Sequence, residues 1–248
     1  METLRWRTEG RIGFLTLHRP AQYNAVDRTM LEELEAFWRE RRYDEQVGVV
    51  VLDGGDARGF CAGLDMKTLG PEIFALEPAA IYDAQRRLAR LLVAMRRAPQ
   101  PIVCAVHGSA AGLGFSFAMA ADVRVVSEDA RFSAAYINIG LGGADMASSY
   151  FLPRLIGAGR AAEFLLTGNW MSSEEALALG FASRRVPRPD LLATAAELAR
   201  TMTAKNPLGL RLTKEALNVA LDAGGLEACL EVEDRNQTLL ILARRLQG

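Results

Sequence analysis

The segment PIVCAVHGSAAGLGFSFAMAAD, Pro101 to Asp122, passes from strand to turn to helix within a single short run. Ile102 to Val106 is brief, β-branched and closed by turn formers on both sides, which makes it a buried strand. His107-Gly108 ends it. Ala110, Ala111, Gly112, Gly114, Ala118, Ala120 and Ala121 then supply a density of tiny side chains that lets backbone approach backbone or ligand closely. A helix opening inside this run aims unpaired N–H groups at whatever lies before it, a candidate anion or oxyanion site. The pattern is not the dinucleotide fingerprint G-x-G-x-x-G, because Phe117 stands where the third glycine belongs, and no Walker lysine follows. Tight packing alone also asks for such residues, so both readings stand on this stretch by itself.

Working outward, the upstream chain has the same alternating character. Leu4-Arg5-Trp6 and Ile12 to Leu17 read as paired strands with Glu9-Gly10 as their turn. Asp27 is placed to cap a helix running to Arg42, with Leu31, Leu34, Phe37 and Trp38 on one apolar face. Val47 to Leu52 is a continuous apolar run, hence a fully buried strand, and it leads through Asp53-Gly54-Gly55 to a second small-residue turn, FCAGLDMK at Phe60 to Lys67. Ile81 to Arg97 predicts a long helix that Pro99 and Pro101 stop. Downstream, Val123 to Val126 and Arg131-Phe132 are further short strands. Strand and helix alternate, so the first half is α/β with a mostly parallel sheet and crossover helices. Ser172-Ser173-Glu174-Glu175 holds a capping box whose short helix Gly180 closes. From Asp190 onward helix follows helix, with Pro207 at a helix start and a break at Gly224-Gly225.

Composition narrows the function classes. The chain has 248 residues, 50% of them hydrophobic, and a formal charge of −1, enough for a large core and without the basic excess of a nucleic-acid partner. Apolar segments fall short of the ~18 residues a membrane span needs, and METLRWRTEG lacks the apolar core of a signal peptide, so a cytoplasmic protein is expected. Cys61, Cys104 and Cys229 read as free structural thiols. With His18 and His107 as the only histidines and no Cys-x-x-Cys, no protein-built metal site is expected.

The motifs LHRPAQYNAV (Leu17 to Val26), GFCAGLDMK (Gly59 to Lys67), Pro101 to Val125, LPRLIG (Leu152 to Gly157) and LTKEALN (Leu212 to Asn218) together resemble the crotonase superfamily, the enoyl-CoA hydratase/isomerase family. The resemblance implies a crotonase-like ββα superhelix core over residues 1–190 carrying an acyl-CoA site. It implies a C-terminal helical region over 191–248 that forms a homotrimer or a dimer of trimers. It implies an acyl-CoA thioester substrate and no cofactor, CoA being part of the substrate. By position, the backbone N–H groups of Leu64 and Leu113 would hold the thioester oxygen, where preorganised donors are worth about 2.7–4 kcal/mol each. Gly112 would shape that turn. Gln22, Tyr23, Ala25, Ala62, Asp65, Met66 and Lys67 would line the CoA groove, Lys67 facing a CoA phosphate or remaining a solvated surface lysine.

The sequence departs from the family at the chemistry. Hydratases of the family place water with two glutamates, and Ser116 and Tyr136 stand at those positions. Neither a hydroxyl nor a phenol with pKa about 10 serves as a carboxylate base near neutral pH. Asp145 matches, counted back from Leu152-Pro153, an aspartate used by dienoyl-CoA isomerases and, as nucleophile, by aryl-CoA dehalogenases of the family. Asp145 is therefore expected to be the catalytic carboxylate with Tyr136 as hydrogen-bond donor or wall, or else the N-cap of a helix over Met146 to Leu155. A serine hydrolase built on His107, Ser109 and Ser116 lacks the G-x-S-x-G elbow. The function expected is proton transfer or addition at Cα/Cβ of an acyl-CoA, against a hydrolase or dehalogenase-like use of Asp145 or a catalytically weak acyl-CoA-binding protein. The resemblance also implies a further helix past Asn236-Gln237 covering CoA; with the sequence ending at Gly248, that cover is expected to be shortened or supplied by another subunit.

Overall fold

The computed structural model describes residues 1–247; Gly248, the last position of the expected helical region, lies outside the described residues. Strands β1 (Leu4–Glu9) and β2 (Ile12–Leu17) form the expected antiparallel hairpin. Asp27 caps α1 (Arg28–Arg41) by accepting the Met30 N–H at 2.9 Å, and Met30, Leu31, Leu34, Phe37 and Trp38 make its buried face. After β3 (Val49–Asp53) come α2 (Leu69–Phe74) and α3 (Pro78–Arg97). The last of these starts at Pro78 rather than Ile81, since a proline in the first turn gives up an N–H that has no helical partner anyway. Then follow β4 (Ile102–Val106), β5 (Ser109–Ala111), α4 (Leu113–Ala120), β6 (Val123–Ser127) and β7 (Arg131–Ser133).

The later half contains α5 (Ser148–Ile156), α6 (Ala158–Thr167), β8 (Met171–Ser172), α7 (Ser173–Ala178), β9 (Arg184–Val186), α8 (Leu191–Thr203), α9 (Pro207–Ala220) and α10 (Leu226–Gln247). Ser172 and Glu175 close the expected capping box at the start of α7. The main sheet has the order β1-β2-β3-β4-β6-β9, parallel apart from β1. A second, smaller sheet pairs β5 parallel with β7 and β7 antiparallel with β8. Single parallel bridges, Cys61 with Ala110 and Val26 with Leu64, carry the same progression back to earlier turns. The chain thus adds a strand to one sheet, a short strand or bridge to the other and then a helical crossover, the expected ββα superhelix.

Side-chain alternation splits the core into two layers. Leu15, Val50, Leu52, Ile102, Cys104 and Val126 pack with α1, α3 and α4. Phe14, Val49, Val51, Val103, Ala105 and Val125 face the other way, onto Leu191, Ala195, Ala196 and Ala199 of α8. A division at residue 190 therefore cuts through the core: α8 supplies one of its two covers, and the separate helical region begins only at Pro207.

Helices α9 and α10 attach differently. Lys214 is the one buried residue of α9, its ammonium 2.9 Å from Asp122 Oδ2 and donating to the carbonyls of Gln100 at 2.8 Å and Met95 at 3.3 Å. Arg96 reaches Asp122 Oδ1 at 3.0 Å, and the Asn218 amide donates to the Arg96 carbonyl at 2.8 Å. The attachment is thus mainly a polar clamp, to which Leu210 adds an apolar contact with the core layer under α8. No helix among the described residues is long and apolar enough to cross a membrane.

Candidate active site

Two short-side-chain turns build the centre of the site. Gly112 adopts φ +52°, ψ −122°, a region essentially reserved for glycine, and passes its own N–H to Ser133 O at 3.0 Å. The chain then enters α4 at Leu113, whose N–H precedes the first helical bond and donates to no group among the described residues. Gly63, at φ +92°, sits so close that an added Cβ would lie 3.2 Å from the Leu113 nitrogen and 2.8 Å from the Ala111 oxygen. The next N–H, of Leu64, is likewise unpaired. Segments from two turns of the spiral thus bring two free backbone donors to the wall of one cavity of about 220 Å3, which Leu64 and Leu113 both line.

Asp145, Tyr136 and Gly112 line the same cavity. Asp145 is half-buried and does not cap α5: the helix begins at Ser148, and Ala147, in the left-handed region at φ +60°, is its N-cap. The carboxylate is instead held by Gln85, whose Nε2 donates to Oδ1 and Oδ2 at 3.0 Å each, and by the Met146 N–H, 2.7 Å from Oδ1. A helix over Met146 to Leu155 is therefore corrected in both its start and its cap. The Asp145 oxygens are taken by Gln85 and the Met146 N–H, so no side chain caps α5.

Ser116 and Tyr136 meet: the two oxygens are 2.9 Å apart, with Ser116 fully buried and Tyr136 only 8% exposed. Burial drives the phenol well above its ordinary value; the Ser116 hydrogen bond opposes this and the Asp145 charge adds to it, so Tyr136 stays protonated. His107 is spent elsewhere, with Nε2 2.8 Å from the Ala57 carbonyl. Ser109 accepts from Arg131, so the three side chains of a supposed serine hydrolase never meet.

Residues 22–26 and 62–67 run side by side. The Ala62 N–H donates to Tyr23 O at 3.0 Å, Val26 N–H to Gly63 O at 2.7 Å and Asp65 N–H to Val26 O at 2.9 Å. Gln22, Tyr23, Ala62, Met66 and Lys67 are exposed along this seam, whereas Ala25 and Asp65 are buried beneath it. Asp65 is taken up internally, 2.9 Å from Arg19 and accepting the N–H groups of Lys67 and Thr68. Burial opposes its charge, but those donors outweigh it and hold the carboxyl below its ordinary value. Asn24 shows why the LHRPAQYNAV motif folds locally: at φ +53° its amide donates to Gly54 O at 2.9 Å and Phe60 O at 3.0 Å, tying the seam to β3.

The profile of the family described as enoyl-CoA hydratase/isomerase matches residues 7–246. The chain belongs to the enoyl-CoA hydratase/isomerase family. A probable enoyl-CoA hydratase of Mycobacterium leprae is 38% identical over 234 residues, 93% of this chain and 79% of that protein. The 1,2-epoxyphenylacetyl-CoA isomerase of Escherichia coli is 31% identical over 239 residues, 96% of this chain and 90% of its own. The crystal structure of an enoyl-CoA hydratase from Bacillus anthracis superposes with a TM-score of 0.90 at 27% identity, covering 96% of this chain and 91% of that one. The crotonase fold is thereby established, and the chain is an acyl-CoA enzyme of the hydratase/isomerase type; a hydrolase, dehalogenase-like or non-catalytic reading is not favoured.

Sequence reasoning missed several residues of this enoyl-CoA hydratase/isomerase site. Gln85 belongs to no family motif quoted above, yet it is the side chain that holds Asp145. Ile73 and Phe74 of α2, with Ile139 and Leu141 of the loop before Asp145, complete the apolar lining, and three of them (Phe74, Ile139 and Leu141) remain exposed at its rim. One signal for Gln85 was available: it interrupts the apolar series Ile81, Leu88, Leu92 on α3.

Proposed function

We propose that this enzyme isomerises acyl-CoA thioesters, moving a proton between carbons of the acyl chain while the Leu64 and Leu113 N–H groups hold the thioester oxygen as an oxyanion hole. The observation that carries this reading is that Asp145 is the only carboxylate among the cavity's lining residues. Adding water calls for one group to take a proton from water and another to deliver one to Cα, whereas moving a double bond calls for one group that takes a proton and gives it back. Asp145 removes a proton from C2 of a 3-enoyl thioester, and the C–H electron pair enters a dienolate whose charge lies on the thioester oxygen. Protonated Asp145 then returns a proton to C4, which leaves the double bond between C2 and C3 and the carboxylate as it began. Two N–H donors aimed at that oxygen lower the barrier most where the charge is greatest.

The lining supports an apolar acyl group. An apolar cavity of about 150 Å3 takes a benzene ring, so 220 Å3 between Leu64, Ile73, Leu88, Leu113, Ala135 and Met146 takes a ring on a short tether or a fatty chain of similar bulk. The CoA portion follows the seam of Gln22, Tyr23, Ala25, Ala62, Asp65, Met66 and Lys67, with Ala25 and Asp65 acting through the backbone path they fix. No cofactor is needed, because the thioester itself is the electron sink. The working assembly is a trimer or a dimer of trimers in the cytoplasm: Leu217, Leu226, Leu239 and Ile241 are all more than half exposed and form apolar faces of α9 and α10 that a second subunit would cover.

The test is turnover of 3-enoyl-CoA thioesters in deuterated water. Double-bond migration with deuterium entering the chain is expected, together with a loss of at least about 100-fold in Asp145→Asn. Migration and exchange that persist within a few-fold in Asp145→Asn would remove Asp145 from the chemistry; net hydration faster than migration would overturn the assignment as an isomerase.

A further inference from the structure

Among the described residues, Gln85 makes its only side-chain hydrogen bonds to Asp145, across a sequence separation of 60 residues. The amide lies on the stripe of α3 that Ile81, Leu88 and Leu92 pack into the core, where a polar group costs stability unless it is bonded. The helix that carries it is pinned: Arg87 grips Glu35 of α1 through two nitrogens, at 2.8 and 2.6 Å. A donor on a rigid element thus reaches both oxygens of a carboxylate that belongs to a loop. Oδ1 also accepts the Met146 N–H at 2.7 Å, so it carries two donors and Oδ2 one. That asymmetry leaves Oδ2 with lone-pair capacity to spare and fixes the plane in which it points.

We infer that Gln85 is the positioning residue for proton transfer, locking the Asp145 carboxylate so that Oδ2 takes and returns the substrate proton. This rests on the assignment of Asp145 as the acting carboxylate. Gln85 is a neutral donor, so it orients Asp145 without supplying a second acid. Tyr136, the other titratable residue that lines the cavity, stays protonated and so takes no proton from carbon. A loose carboxylate would sample orientations that the reacting carbons do not share, and misplacement by about 1 Å can cost 100-fold.

The experiment is Gln85→Leu, compared with the parent, with Asp145→Asn and with the double variant. The kcat of Gln85→Leu is expected to fall about 10- to 100-fold, the range for a lost hydrogen bond to a charged group. KM should stay within about two-fold, since substrate contacts are kept. In the Asp145→Asn background the same change should cost almost nothing further. If Gln85→Leu fails to fold, the unbranched Gln85→Met decides by the same readouts. A parent-like kcat in a folded Gln85 variant, with Asp145→Asn inactive, overturns the role of Gln85 alone. A parent-like rate in Asp145→Asn overturns the isomerase assignment and takes Gln85 with it.

Discussion

Gly63→Ala tests whether the two unpaired N–H groups act as a pair. At φ +92° an alanine is strained by roughly 1–3 kcal/mol whatever surrounds it. In addition, its Cβ would meet the Ala111 oxygen at 2.8 Å and the Leu113 nitrogen at 3.2 Å, backbone atoms that cannot rotate away. Relief must come from shifting the Leu64 or Leu113 N–H out of line. At roughly 2–4 °C per kcal/mol for a chain of this size, the strain lowers Tm by about 2–12 °C. Loss of one oxyanion donor lowers kcat by about 100- to 1,000-fold. Gly10→Ala is the control: it also has positive φ, at +57°, but its Cβ meets nothing within 4 Å, so Tm should fall and kcat should not. Exchange of the substrate α-proton, measured beside turnover and thermal melting, separates the two effects. If Gly63→Ala loses stability yet keeps kcat within about three-fold, the Leu64 and Leu113 donors do not hold the developing charge.

Three further outcomes are expected. Lys214→Met leaves Asp122 to Arg96 and the Ile102 N–H, and takes the ammonium from the Gln100 and Met95 carbonyls; a lost hydrogen bond to a charged group costs about 1.5–3 kcal/mol, so Tm should fall by roughly 3–12 °C while kcat of the folded enzyme holds, and an unchanged Tm would show that the clamp on α9 is not needed. His107 is held below its ordinary value of 6.5 by burial, with the Ala57 carbonyl opposing. The unfolded chain therefore binds a proton that the fold resists, so stability is full above about pH 6.5 and declines as pH falls through it; His107→Gln should flatten melting temperature against pH below about 6.5. Light scattering at micromolar concentration should give a trimer or a multiple of it, and a monomer would leave the apolar faces of α9 and α10 unexplained.

Local rules made much of this molecule legible. The strand Ile102–Val106 was bounded correctly because β-branched residues between Pro101 and His107-Gly108 leave no other assignment, and Asp27 announced α1 because Arg19 takes only its Oδ2, at 3.1 Å, and leaves Oδ1 to the Met30 N–H. Where a tertiary partner takes both oxygens, the local signal fails. Asp145 precedes a helix as a cap should, but Gln85 claims the carboxylate and Ala147 takes the cap position. The helical run from Asp190 looked like one appendage, yet Leu191, Ala195 and Ala199 recur every four residues because a sheet lies against them. Periodicity reports that a face is buried and says nothing of what buries it. Gln85 was missed for the same reason, since one polar residue in an apolar stripe has meaning only once its partner is known.

The site also shows how one backbone can carry different reactions. Its two unpaired backbone donors come from the shape of two glycine turns and the start of α4, so they survive almost any exchange of neighbouring side chains. The carboxylates enjoy no such protection. Ionised glutamates at 116 and 136 would each be withdrawn from water at several kcal/mol per ion, and only partners for every lone pair would make that tolerable. A serine and a tyrosine bonded to each other fill the same space as neutral, satisfied groups. With that corner neutral, the cavity's one charge moves to Asp145, half-exposed and held by uncharged amides. A site with two fixed backbone donors and one carboxylate suits passing a proton along a chain, and it lacks the second acid that placing water would require. On the proposed reading, reaction type is decided by where the carboxylate is accommodated, while the two backbone donors keep their place.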